Sequence, residues 1–152
     1  MSVTRRRARC SAEDVFRVLS DGWSYAAWVV GAARVRAVSD DWPMEGATIH
    51  HSVGLWPVVL DDTTTVVACT PPHHLLLRGR AWPAGEADID ITVTDDEGDT
   101  AGCLITMREA AVRGPATLLP KPIENVSLHV RNIETLKRLV PLAERRARPD
   151  ES

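Results

Sequence analysis

Three side chains have the chemistry for proton transfer in an interior site: Tyr25, His51 and Glu109. His50 and His51 are adjacent in a stretch with strand character, and consecutive side chains of a strand point to opposite faces of a sheet. Only one of them can line an interior site. We assign that position to His51 because it shares its face with Ile49 and Val53. Its imidazole could act as an acid or base near neutral pH, or orient a polar ligand group. The alternative is a histidine held by hydrogen bonds in the core.

Glu109 and Tyr25 each allow two interpretations. Glu109 continues one face of the last strand, and a carboxyl buried there would have a raised pKa and could act as a general base. Since strand ends are usually wet, the favoured alternative is a glutamate paired with Arg113 or with solvent. Tyr25 is the single tyrosine and lies on a short helix. Its hydroxyl could reach a cavity mouth, or it could lie in the core or at the surface.

The remaining reactive residues predict neither a metal site nor a cofactor. Cys10, Cys69 and Cys103 are widely spaced, no CxxC occurs, and no cysteine–histidine spacing fits zinc. The Pro71-Pro72 turn places His73 and His74 in solvent, so a four-histidine site would need distant strands to converge.

Charge and hydropathy exclude further classes. The net charge is −3, so the arginines at positions 5, 6, 7 and 9 are expected to protect an edge strand rather than to bind nucleic acid. No apolar run of about eighteen residues predicts a membrane span. No signal peptide is visible at the start, and we therefore expect a cytoplasmic protein with reduced thiols.

Two short helices are predicted to follow a first extended segment, residues 2–10. Ser11 resembles an N-cap, with acidic residues in the first turn of a helix that runs to about Ser20. Gly22 is expected to end that helix in a left-handed conformation. Ser24 is expected to cap a second helix over residues 25–30, which Gly31 closes.

Period-two alternation from residue 32 to about residue 109 predicts six antiparallel strands. They cover residues 34–38, 48–53, 58–69, 75–81, 87–94 and 103–108. A hairpin tip at Pro83-Ala84 would place Arg80 opposite Asp88 and Arg78 opposite Asp90, on the solvent face.

A long helix is predicted over residues 123–146. Its apolar positions Val126, Val130 and Ile133 are expected to face the core, and Pro141 is expected to kink it. Residues 147–152 are expected to form a frayed tail of a single domain that spans residues 1–152.

The order of elements resembles the SRPBCC superfamily, which includes the START domains and the polyketide cyclase/dehydrase-like proteins. The segments that carry the resemblance are residues 11–21, Tyr25–Gly31, Trp42-Pro43 with Gly46, His50–Gly54, and Arg131-Asn132. The resemblance implies an α+β helix-grip fold. In it a curved seven-stranded antiparallel sheet wraps a long C-terminal helix, and two short helices lie between strands 1 and 2. It also implies an apolar cavity between sheet and helix, as in relatives that bind or carry hydrophobic molecules and in a minority that catalyse cyclisation or dehydration.

On this basis we expect a hydrophobic or aromatic small molecule, lipid- or polyketide-like, to bind in that cavity. The expected walls are Ile49, His51, Val53, Leu75, Leu77, Ile89, Ile91, Ile105, Met107, Val126, Val130 and Ile133, with Tyr25, Trp28 and Trp56 near the entrance. The first alternative is a cyclase/dehydratase-type enzyme that uses His51, Tyr25 or Glu109 in the same cavity. The second is a regulatory partner protein that could form a homodimer through its sheet or helix face.

Overall fold

The computed structural model describes residues 1–55, 57–81, 85–96, 98 and 102–147. The strands are β1 (Ser2–Ala8), β2 (Ala32–Val38), β3 (Thr48–Leu55), β4 (Val58–Thr70), β5 (His74–Ala81), β6 (Gly85–Asp95) and β7 (Cys103–Arg113). The helices are α1 (Ala12–Ser20), α2 (Tyr25–Trp28) and α3 (Lys121–Ala147), with 3₁₀ turns at Gly22–Ser24 and Pro115–Leu118. The predicted order of elements is therefore confirmed, and most elements extend a few residues beyond their predicted ends.

The seven strands form one antiparallel sheet in the order β1-β7-β6-β5-β4-β3-β2. The alternating rows that predicted these strands point as expected, since Ile89 and Ile91 on β6 are buried and lie opposite Leu77 and Leu75 on β5. The predicted register of this hairpin was wrong by two residues. Arg78 pairs with Asp88 and Arg80 with Glu86, and because the shift is even, every side chain keeps its predicted face.

The chain enters α1 through a capping box. The Ser11 hydroxyl accepts a hydrogen bond from the backbone N–H of Asp14, and the Asp14 carboxylate accepts one from the backbone N–H of Ser11. Gly22 does not adopt the left-handed conformation predicted for it. It is required for space instead, because a Cβ there would lie 2.6 Å from Cγ1 of Val38. Gly31, which was predicted to close the second helix, has a positive φ of 96°.

The second short helix is shorter than predicted, because it ends at Trp28 rather than at residue 30. Ser24 does not cap it through its side chain. Its hydroxyl donates instead to the backbone carbonyls of Val18 and Asp21. The residues between Trp28 and β2 are thereby left outside regular structure.

Helix α3 packs against β1, α1 and α2 through a face that differs from the predicted one. The buried positions are Asn132, Thr135, Leu136, Leu139, Val140 and Ala143. The prediction that Val126 and Val130 lie in the core was wrong, since their exposures are 65% and 64%. These valines line an open groove beside Met1, Ser2 and Val3 at the β1 edge, while the polar residues Asn132 and Thr135 take buried positions. The helix continues through Pro141.

Strand β1 lies at one edge of the sheet, as the arginine run predicted, and Arg5, Arg6 and Arg7 are all exposed on it. No helix in the described part of the chain is long and apolar enough to cross a membrane.

Candidate functional site

A cavity of about 340 Å³ lies between the sheet, α2 and α3. The concave face of β3 to β7 forms one side, the segment from Tyr25 to Ala32 forms a second, and Arg131 of α3 forms a third. Most of the lining is apolar, with Val29, Val53 and Ile89 among the contributors. A recess of about 10 Å³ continues from the cavity towards Trp28, Leu77 and Met107.

A chain of three hydrogen-bonded side chains crosses one wall of this cavity. The Tyr25 hydroxyl lies 3.1 Å from Oγ1 of Thr64, and Nε2 of His51 lies 2.9 Å from the same oxygen. The rings of Tyr25 and His51 also pack together, with centroids 5.2 Å apart. Because every member can both donate and accept, the chain can reverse its direction when a ligand or a proton arrives.

Burial sets the protonation states of Tyr25 and His51 in this hydrogen-bonded set. It lowers the pKa of His51, although the nearby Asp62 carboxylate acts in the opposite direction, so the imidazole is neutral at pH 7. Burial also raises the pKa of Tyr25, and the phenol therefore stays protonated. Three uncharged groups thus face the cavity and suit a neutral, largely apolar occupant.

The cavity lining also carries an ion pair between Glu109 on β7 and Arg131 on α3. The Glu109 side chain is 1% exposed, whereas that of Arg131 is 38% exposed. Burial raises the pKa of the Glu109 carboxyl, while the guanidinium of Arg131 and the amide of Asn132 act to lower it. The prediction of a wet strand-end glutamate paired with Arg113 was therefore wrong. β7 continues to Arg113, so position 109 lies inside the strand.

The predicted wall residues fall into three groups. Those that line the cavity or its recess are Tyr25, Trp28, His51, Val53, Leu77, Ile89 and Met107. Those that are buried in the core without lining either are Ile49, Leu75, Ile91 and Ile105. Of the three predicted on α3, Ile133 is half-buried and the two valines are exposed, so none of them lines the cavity. Trp56 lies outside the described residues. Binding by any of these side chains stays a prediction.

The cavity residues that the sequence analysis missed include Thr64 and Arg131. Thr64 belongs to a run of β-branched residues, which predicts a strand but not which of its side chains point inward. The Thr64 side chain points inward because the residue is paired with Ile49 in the sheet. Arg131 lies outside the apolar stripe of Val126, Val130 and Ile133, so helical periodicity does not select it. The one available signal was the break in apolar spacing at Asn132 and Thr135, which shows that the inward side of this helix is polar.

The cysteines are placed as packing residues. Burial raises the pKa of the Cys10 thiol to about 12 and that of Cys103 to about 11. Within the residues that the structure describes, no cluster of three or more His, Cys, Asp and Glu side chains could hold a metal ion.

Comparison with known proteins places this geometry in a family. The model described as "Polyketide cyclase / dehydrase and lipid transport" matches residues 1–140. No curated protein matches the chain.

Solved structures share the fold at low sequence identity. A conserved protein from Geobacillus kaustophilus is 14% identical with a TM-score of 0.70, covering 94% of each chain. A protein from Chromobacterium violaceum is 15% identical with a TM-score of 0.66, covering 99% of this chain and 100% of its own. The di-domain ARO/CYC BexL from the BE-7585A biosynthetic pathway is 15% identical with a TM-score of 0.62, and the match covers 97% of this chain and 50% of BexL. Fold, element order and family model agree, and the chain belongs to the polyketide cyclase/dehydrase and lipid transport family of the SRPBCC superfamily.

Proposed function

We propose that this protein binds a hydrophobic or aromatic small molecule, lipid- or polyketide-like, in the cavity between the sheet and α3. The observation that carries the proposal is the cavity itself, whose volume of about 340 Å³ lies at the lower end of the range for small-molecule sites. Its lining is mostly apolar with a few convergent polar groups, which is the usual composition of such sites. Removing apolar ligand surface from water contributes about 25 cal/mol per Å² and supplies most of the affinity.

The family and its neighbours support the same proposal. The matching family model is described as "Polyketide cyclase / dehydrase and lipid transport", which names polyketides and lipids as the molecules that its members handle. BexL and the steffimycin-pathway protein StfQ are both described as di-domain ARO/CYC proteins. Each of them is about twice as long as this chain. We therefore use them to propose a class of ligand and not a particular reaction.

Filling the cavity tests the proposal directly. A Cβ built at Gly79 would lie 3.7 Å from Thr64 Oγ1 and 3.9 Å from Ile89 Cδ1, which are ordinary contacts. Because Gly79 lines the cavity, a longer side chain there would take up cavity volume. We expect Gly79→Leu to keep the wild-type melting temperature within a few degrees and to lose the binding of naphthalene-type probes in equilibrium dialysis. Ala33→Leu, at an exposed position of β2, is the matched control and should bind as wild type does.

The natural ligand can be sought by native mass spectrometry of protein purified from its own host. A co-purified mass that Gly79→Leu loses and Ala33→Leu retains would identify it. The proposal fails if no such mass appears and no member of a lipid and aromatic panel shifts the melting temperature.

The hydrogen-bonded chain favours a second candidate, a cyclase or dehydratase that acts in the same cavity. Tyr25 could take a proton from the substrate while its own proton passes through Thr64 to the neutral imidazole of His51, and a positioned acid–base group contributes about 10² to 10⁴ in rate. Once a substrate is found, Tyr25→Phe and His51→Gln should each lower kcat by that factor. Turnover that is unchanged in both variants would leave binding as the function.

A further inference from the structure

Arg131 presents unused hydrogen-bond donors to the cavity. A guanidinium has five N–H groups and no acceptor. Within the described part of the chain, Glu109 is the one side chain to which Arg131 donates, through Nη2. Arg131 lines both the main cavity and its recess, and its side chain is 38% exposed. The remaining N–H groups are therefore available to an occupant of the cavity.

The position of this guanidinium is fixed by its partner. Glu109 is buried within β7, and the neighbouring Asn132 is 1% exposed on the same turn of α3 as Arg131. An arginine tied at one end to a buried carboxylate loses little further freedom when it binds a second acceptor. Of the other polar lining residues, Tyr25, Thr64 and His51 can each donate or accept and do not discriminate. Arg80 also lines the cavity, but its side chain is 66% exposed and lies 3.7 Å from the Glu86 carboxylate, so this second pair is neutral as well.

The charge balance of the pair limits what the second acceptor can be. Arg131 and Glu109 together are neutral, so an anionic ligand group beside Arg131 would also lie close to the Glu109 carboxylate. It would be desolvated without a cation of its own, which is costly in an apolar site. A neutral oxygen acceptor avoids that repulsion and still receives a charge-assisted hydrogen bond.

We propose that Arg131 is a specificity-determining residue that donates to a neutral carbonyl oxygen of the ligand, as in a ketone, quinone, ester or amide, in preference to a carboxylate. The inference rests on the proposed function and narrows its ligand class. Arg131 thereby orients an otherwise apolar molecule, with its carbonyl towards α3 and its apolar body against the sheet.

Three probes of similar shape test this assignment by equilibrium dialysis. They are 2-acetylnaphthalene, which carries a ketone, 2-ethylnaphthalene, which lacks it, and 2-naphthoate, which carries a carboxylate. The quantity of interest is the ratio of the dissociation constants of the hydrocarbon and the ketone, compared between variants so that differences in probe hydrophobicity cancel. We expect this ratio to fall about tenfold or more in Arg131→Met, as loss of a hydrogen bond to a charged group predicts.

Two further variants make the test specific. Arg138→Met, on an exposed part of α3 where the arginine pairs with Glu134, should keep the wild-type ratio. The double variant Arg131→Met with Glu109→Met removes the whole pair and should behave like Arg131→Met, which excludes an unpaired buried carboxylate as the cause.

The outcomes separate this inference from the proposed function. A ratio that is the same in wild type and Arg131→Met, or naphthoate binding to wild type more tightly than the ketone, overturns the inference and leaves the binding function standing. If none of the three probes binds to the wild-type protein, the proposed function fails and the inference fails with it.

Discussion

Replacing Arg131 by methionine leaves the Glu109 carboxyl buried without its cation, and we expect the free energy of unfolding to fall by about 3 kcal/mol at pH 7. Glu109 is 1% exposed and cannot recover hydration in the folded state. The folded variant can relieve the buried charge by binding a proton. Holding that proton at pH 7 costs at most about 3.7 kcal/mol, which is 1.36 kcal/mol for each pH unit above an unfolded pKa of about 4.3.

The same arithmetic gives the pH dependence. A carboxyl whose folded-state pKa lies above its unfolded value binds its proton more tightly when folded, so stability falls as the pH rises from the unfolded towards the folded pKa. Burial already raises the pKa of Glu109, and removing Arg131 removes an influence that lowers it. The difference in stability between wild type and Arg131→Met should therefore shrink as the pH falls from 7 to 5.

Urea denaturation followed by tryptophan fluorescence at pH 5, 6, 7 and 8 measures this difference. Titrations that both proteins share cancel in the subtraction. Arg131→Met combined with Glu109→Met should recover most of the loss, because an apolar pair of similar volume often replaces a buried ion pair without cost. A difference that does not change with pH, or a double variant as unstable as the single one, would refute the assignment of Glu109 as a buried carboxylate held by Arg131.

Three further predictions concern packing and reactivity. Gly22→Ala should lower stability by about 1 to 3 kcal/mol in urea denaturation, because its Cβ would overlap the valine of β2 that packs on it. Val126→Ser should change stability by less than about 0.5 kcal/mol whereas Leu136→Ala costs about 2 to 5 kcal/mol, and similar losses for the two would contradict the observed face of α3. Cys10 and Cys103 should react with a disulfide reagent at pH 8 only as fast as the protein unfolds, since burial raises the pKa of both thiols, and rapid labelling of either in native protein would count against their burial.

The sheet could be predicted from the sequence because its signal is local. In β6 each aliphatic residue is followed by a polar one, and one face of the sheet is covered while the other meets solvent, so period two appears directly in the residues. The register of the β5–β6 hairpin was harder to predict, because it is set by the length of the turn. A shift of two residues leaves every side chain on the same face of the sheet, so the alternating pattern does not reveal it. The arginine–carboxylate pairs satisfy both registers almost equally well.

The site could be predicted only in part because its polarity reverses the usual pattern. Apolar periodicity indicates the buried face of a helix only when the buried side is apolar throughout. Where α3 covers the cavity, its inward side carries Arg131, Asn132 and Thr135, whereas Val126 and Val130 are exposed beside the start of β1. The rule therefore selected Val126 and Val130, which are exposed, and missed the polar positions that are buried on this helix. The burial of Glu109 could not be predicted either, because the predicted strand ended at residue 108, whereas β7 continues to Arg113.

The pairing of β1 with β7 has a consequence for synthesis on the ribosome. The first strand of the chain cannot find its neighbour until the segment that begins at Cys103 has emerged, which at roughly 5 to 20 residues per second is a delay on the order of ten seconds. During that interval an extended segment has unpaired backbone amides and carbonyls that another nascent chain could bind. Arg5, Arg6 and Arg7 give the waiting strand a charge of +3, so two such strands repel each other. The arginines thus protect the nascent polypeptide for as long as its partner strand is still unmade.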